Sequence, residues 1–237
     1  MKLMQLIIVS FALCVAGLAQ ASDFSSVPNP PGEGSADATD EYLIDDGTGE
    51  NSIGLTAGGT LYWVNRFNVI AGFETVTEVC VAWGQVFGPR AGMVLVWDDP
   101  NNDNNPTDVT GAHVLSSLAV TSDAGNTDAY FSYNIPDVVV GAQNDAFYVG
   151  VCLPQNAGEF PARIDQTLPN NGKSWVGGDS NQSAQCTNPN GGNVVSPMIT
   201  IDSAGLPGDW MVRANATAST TPVEGKTWGN IKAIYTN

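Results

Sequence analysis

The residues best suited to chemistry in this chain lie in WDDPNNDNNPTD, residues 97–108. Counting from Asp99, side-chain oxygens recur at Asp99, Asn101 and Asp103, Asn105 can add a carbonyl, and Thr107 and Asp108 close the run. Alternate residues of a tightly curled loop converge on its centre, and hard oxygen donors at that spacing suit Ca2+, as at the start of an EF-hand loop. Asn104 stands where such a loop turns on Gly, and Asn tolerates positive φ better than most side chains. The match ends at Gly111, where the bidentate Glu of an EF-hand would fall, and no helical pattern flanks the run. Mutual repulsion of Asp99, Asp103 and Asp108 favours a calcium ion, whose role would be to stiffen the loop. The competing reading is an Asx-rich hairpin loop closed by its own side-chain-to-backbone hydrogen bonds.

Other reactive groups are sparse. IDDGTGEN (44–51) sets Asp45, Asp46 and Glu50 around two glycines, and D-G and T-G are turn signals before they are metal sites. The single histidine, His113, opens an apolar-alternating run, and neither G-x-S-x-G nor H-E-x-x-H occurs. Glu78 lies within an apolar strand pattern, in the phase of Cys80 and Ala82. The chain therefore reads as non-catalytic, and an extracellular polymer hydrolase would need two carboxylates brought together from distant strands. Of the six Trp, Trp83 and Trp97 fall in apolar runs and read as core. Trp175, in the polar setting NNGKSWVGGDSNQS, is the expected exposed platform for stacking on a sugar ring, with Asn and Gln beside it to bond hydroxyls.

These residues must be positioned by strands. From Glu41 onward, short alternating runs are separated by Gly, Asn, Asp and Pro clusters: EYLID (41–45), TLYWVNRF (60–67), TVTEVCVAW (75–83), GMVLVWD (92–98), HVLSSLAV (113–120), AYFSYNI (129–135), AFYVGVCL (146–153), PARID (161–165), KSWVG (173–177), PMITID (197–202) and DWMVRA (209–214). TWGNIKAIY (227–235) could add an edge strand. No apolar stripe of helical period follows the N-terminal segment, so the expectation is an all-β, two-sheet antiparallel sandwich, jelly-roll-like, with about ten or eleven strands in one domain over 41–237. GMVLVWD is apolar on both phases and belongs in mid-sheet, whereas AYFSYNI should keep one wet face.

The first residues, MKLMQLIIVSFALCVAGLAQAS, have the order of a secretory signal peptide (1–21): a charge at Lys2, an apolar run, and small residues at Ala19 and Ala21. The expectation is cleavage after Ala21 and export to the periplasm or beyond, with no membrane insertion after processing. Residues 22–40, rich in Ser, Pro, Gly and Asp, read as a disordered leader. A formal net charge of -16 argues against nucleic acid and anionic lipid as partners, because phosphate contacts need Lys and Arg. Export makes a disulfide plausible. Cys80 and Cys152 share the phase opposite to the apolar one in their strands, so a cross-strand Cys80–Cys152 bridge is expected if the strands are neighbours; Cys152 with Cys186 is the competing pair.

DDGTGENSIGLTAGGTLYWVNRF (45–67), VCVAWG (79–84), the Asp/Asn loop, FYVGV (147–151), SWVGG (174–178) and GLPGDWMVRA (205–214) together resemble a β-sandwich module of exported bacterial proteins. The resemblance implies a sandwich fold and export; it carries over no catalytic residue. The expected role is binding of extracellular carbohydrate or matrix polymer, the alternative a structural surface component without a soluble ligand.

Overall fold

The computed structural model describes residues 24–29, 40–106, 113–123, 126–179, 186 and 198–218. Among them run β1 (Phe24–Pro28), β2 (Asn51–Leu55), β3 (Gly58–Asn68), β4 (Thr75–Gln85), β5 (Ala91–Asp98), β6 (Val114–Thr121), β7 (Tyr130–Val139), β8 (Ala146–Asn156), β9 (Phe160–Asp165), β10 (Ser174–Asp179), β11 (Ile199–Thr200), β12 (Asp209–Trp210) and β13 (Val212–Thr217), and no helix. All pairings are antiparallel, in two sheets. One sheet carries β2-β9-β4-β7 and the other β3-β8-β5-β6, so successive strands, the β5–β6 hairpin apart, cross between layers in the order of an eight-stranded jelly roll. β1 extends the first sheet beside β2, and β10 and β11 extend the second beside β3. The strands β12 and β13 wedge between β9 and β4, pairing first with Ile164 and Asp165 and then with Val81 through Thr75.

Alternation decides which side chains meet. Trp63, Trp83, Val81, Val94, Val96, Val149, Val151, Ile164 and Trp210 point between the sheets and are fully buried. Trp63 and Trp83 meet edge to face at 6.0 Å, and the Trp83 indole N–H donates to Tyr133 Oη at 2.9 Å. The opposite phase of β5 is also buried. Leu95 and Trp97 join Tyr62, Val64, Tyr148 and Cys152 in a second apolar cluster on the outer face of the six-stranded sheet, which is why MVLVW is apolar on both phases. The wet face of β7 is present too, with Ser132 and Asn134 exposed.

Three expectations are corrected. The disulfide joins Cys152 to Cys186, across 34 residues, and Cys80 is a free, buried thiol. The phases of Cys80 and Cys152 were read correctly, but β4 and β8 belong to different sheets, so the two side chains leave opposite outer faces of the sandwich and cannot meet. Within the segment expected to be a disordered leader, Phe24–Pro28 is a strand: its main chain pairs with Leu55–Asn51, Phe24 packs on the core, and Asn29 bonds Gly49, Glu50 and Ser52. EYLID is not a regular strand. Tyr42 makes an isolated bridge to Ala214 while Asp45 turns away to an arginine. The signal peptide, most of the leader and TWGNIKAIY lie outside the described residues.

Candidate functional site

The eleven residues of β8 separate two sets of loops. At one end lie the loops after β3, β5 and β7; at the other lie those after β2, β4, β6 and β8. At about 3.3 Å per residue the ends stand more than 30 Å apart.

At the first end β5 shifts register against β6 between Val96 and Trp97; past this bulge Asp98 still pairs with Phe147 and donates its N–H to the His113 carbonyl at 3.1 Å, and the chain leaves the ladder at Asp99. The Asp/Asn loop then curls: Asn102 and Asn104 take φ of 52° and 67°, and the Asn102 N–H donates to the Asp99 carbonyl at 2.9 Å. Asp99 is 5% exposed. Its Oδ2 accepts the Asn104 N–H at 2.9 Å and the Tyr148 hydroxyl at 3.4 Å, while its Oδ1 is buried with no hydrogen-bond partner among the described residues. Burial, followed by the charge of Asp103 and against the Asn104 hydrogen bond, raises the Asp99 pKa. Asp103 is exposed and its Oδ1 accepts the Asn105 N–H at 2.8 Å. Asn102 Oδ1 accepts the Ala146 N–H at 3.0 Å, fastening the loop to the start of β8. A concavity of about 250 Å3 lies between this loop and the one after β7, lined by Asp98, Asp99, Asn102, Leu115, Val140 and Asp145.

Asp99, Asn101, Asp103 and Asn105 thus share one curled loop, and Thr107 and Asp108 lie outside the described residues. Among the described residues no group of three or more His, Cys, Asp or Glu could hold a metal, so a cation here would depend on Asn and backbone oxygens or water beside the carboxylates. The Asx-turn hydrogen bonds of the competing reading are also present. They occupy Asp99 Oδ2 and Asp103 Oδ1, and they leave Asp99 Oδ1 unexplained.

The other residues singled out by sequence have structural partners. Asp45 is locked to Arg213, whose Nη2 donates at 2.5 Å and whose Nε spans both carboxylate oxygens, with Tyr130 Oη also donating at 2.5 Å. Arg213 lies 4.2 Å over the Tyr130 ring. Burial alone would lower the arginine pKa, but the hydrogen bond and charge of Asp45 drive it above its ordinary value. Arg163 is held the same way by Asp128, and together these pairs form a buried polar layer outside the seven-stranded sheet. Asp46 closes its turn through Thr48, and Glu50 accepts the Gln166 N–H at 2.5 Å. Asp165, buried beside Asp46 and Glu50, is pushed up to about 6, by burial first and those charges second. Glu78 accepts from Asn215 at 2.6 Å. His113 is exposed and stands 3.4 Å from Asp98. Trp175 is half-buried against the outer cluster, its carbonyl accepting the Trp210 indole N–H at 2.8 Å, and so falls short of a free platform.

The second end holds a feature the sequence reading missed. Glu159 is fully buried, and its carboxylate accepts from the Phe87 N–H at 3.1 Å, the Asn156 N–H at 2.7 Å, and Arg90 Nη2 and Nε at 2.7 and 3.1 Å. Burial would raise its pKa, but Arg90 and the two amides bring the net shift below the ordinary value. The loop pinned in this way presents Phe87, 68% exposed. The signal was available in VFGPR (86–90): an aromatic directly before a Gly-Pro turn is placed at a loop tip.

No protein-family model matches this sequence, and no curated protein matches it either. Among solved structures the chain is similar to the cysteine protease and lectin-like domains of Cwp84, a surface layer associated protein of Clostridium difficile, with TM-score 0.42 and 15% identity over 84% of this chain and 37% of that one.

Proposed function

We propose that this chain is an exported, non-catalytic jelly-roll module that binds extracellular carbohydrate or matrix polymer, with a calcium ion held in the rim loop headed by Asp99. The observation that carries the calcium reading is the buried Asp99 Oδ1 without a partner. An ionised carboxylate oxygen left in that state is costly, and a hard cation satisfies it without rearranging the turn. The flanking oxygens of Asn101, Asp103 and Asn105 suit the same ion. Export is supported by the Cys152–Cys186 disulfide, a bond that persists in oxidising compartments. No helix among the described residues is long and apolar enough to cross a membrane. A non-catalytic role agrees with carboxylates engaged in ion pairs, as Asp45, Asp128 and Glu159 are.

The structural alternative, a surface component with no soluble ligand, is favoured by one observation: the ring of Trp175 is partly withdrawn into the outer cluster. The two readings separate in a binding assay on mature protein (22–237) against a polysaccharide panel, run with calcium and with chelator. Saturable retention on one polymer supports the binding module. Retention on none, together with concentration-dependent self-association, would replace it with the structural reading.

A further inference from the structure

Glu159 poses a question that folding alone does not answer. A fully buried carboxylate collects two backbone amides and an arginine to fix the path of an exposed loop, and the residue set by that path, Phe87, points its ring into solvent. An aromatic of that exposure on a free loop would be ordinary; here the backbone that carries it is held in place by the Phe87 N–H bond to Glu159. The described residues of the two turns at this end are small and neutral, with Asp123 exposed in the loop after β6. Thr56 and Ala57 of the β2–β3 turn and Ala157 and Gly158 of the β8–β9 turn are exposed at the same end, and a Cβ added to Gly158 would stand 3.8 Å from the Phe87 ring. A side chain longer than Gly at 158 would therefore begin to cover the ring. Arg90, the nearest cation, spends its charge on Glu159, and Thr56 and Asn156 offer neutral hydrogen-bonding groups.

We infer that Phe87 is a preorganised stacking platform for a pyranose ring of a neutral glycan, bordered by Thr56, Asn156 and Gly158. The occupant follows from size and charge. One aromatic ring among small residues falls far short of the roughly 800 Å2 per partner that a stable protein interface buries, but it matches the apolar face of a single sugar ring. Asp123, exposed in the loop after β6 at the same end, and the acidic chain as a whole disfavour carboxylates and sulfates, which selects neutral hydroxyls. The backbone part of the ordering cost is already met by Glu159, which lowers the cost of a small contact area. This inference rests on the carbohydrate-binding reading and assigns its site to the end opposite Asp99.

The test is retention of mature protein on cellulose, xylan, mannan and β-1,3-glucan, comparing the native chain with Phe87→Ala, Trp175→Ala and Gly158→Asn, the last chosen because Asn tolerates the φ of 81° at that turn, each checked by its melting curve. Phe87→Ala should melt like the native chain and bind its polymer about tenfold more weakly or not at all. Gly158→Asn should also weaken binding, by crowding the ring, and Trp175→Ala should retain binding. Native binding that survives Phe87→Ala overturns the platform and leaves the carbohydrate reading standing. A native chain retained on none of the polymers overturns both.

Discussion

The two ends of the sandwich handle a buried carboxylate in opposite ways. Glu159 is surrounded by donors on both oxygens and its pKa is held down; Asp99 has donors on one oxygen only and its pKa is pushed up. Both are nearly sealed from water, so burial is not the difference. What differs is whether the protein itself supplies the compensating positive charge. Arg90 supplies it to Glu159, whereas at Asp99 the described neighbours are a tyrosine hydroxyl, backbone amides and further acids. The acid that the chain completes serves structure, and under the proposed function the one left incomplete is where a cation would bind.

The comparison breaks most readily at Glu159. Glu159→Ala leaves Arg90 and the Phe87 and Asn156 amides without their acceptor and should cost about 3–5 kcal/mol in urea unfolding; a loss below about 1 kcal/mol would show that the ion pair does not hold the loop. Cys186→Ser belongs to neither end and serves as a reference. Opening a 34-residue separation should cost about 4 kcal/mol, and a thiol reagent should find Cys80 only after unfolding. The pH dependence should have opposite signs at the two acids. Glu159, depressed below 4.5, contributes stability in full above that pH and loses it as pH falls through its folded value. Asp99, raised above 3.8, favours the metal-free fold at low pH and loses that contribution as pH rises through its folded value. Chelated Asp99→Asn protein should therefore lie within about 1 kcal/mol of native chelated protein at pH 7, or above it, in melting curves. A large loss there would mean that Asp99 already has its partner within the chain.

How much of this was legible in sequence depended on range. Alternation identified the strands and the sandwich, and even the double-sided burial of Val94–Trp97, because those are local signals. Which strands pair is nonlocal, so the correct phase of Cys80 and Cys152 still led to the wrong bridge. Phe24–Pro28 was invisible because its order comes from main-chain bonds to β2 rather than from its own apolar content. The Asp99 loop was found from spacing, and its two left-handed Asn residues fit the proposed curl. Spacing could not reveal that one oxygen of Asp99 is unpartnered, which depends on Tyr148 and Asn104 taking the other. Phe87 and Glu159 lie 72 residues apart and carry no shared motif, so their coupling appears only when the β4–β5 and β8–β9 turns are placed side by side.

The most direct test of the calcium assignment is a calorimetric titration of chelator-stripped mature protein with Ca2+, repeated on Asp99→Asn. The account predicts one saturable site in the native chain, weakening as pH falls and Asp99 protonates, and no site in the variant. No binding by the native chain, or equal binding by Asp99→Asn, would contradict it.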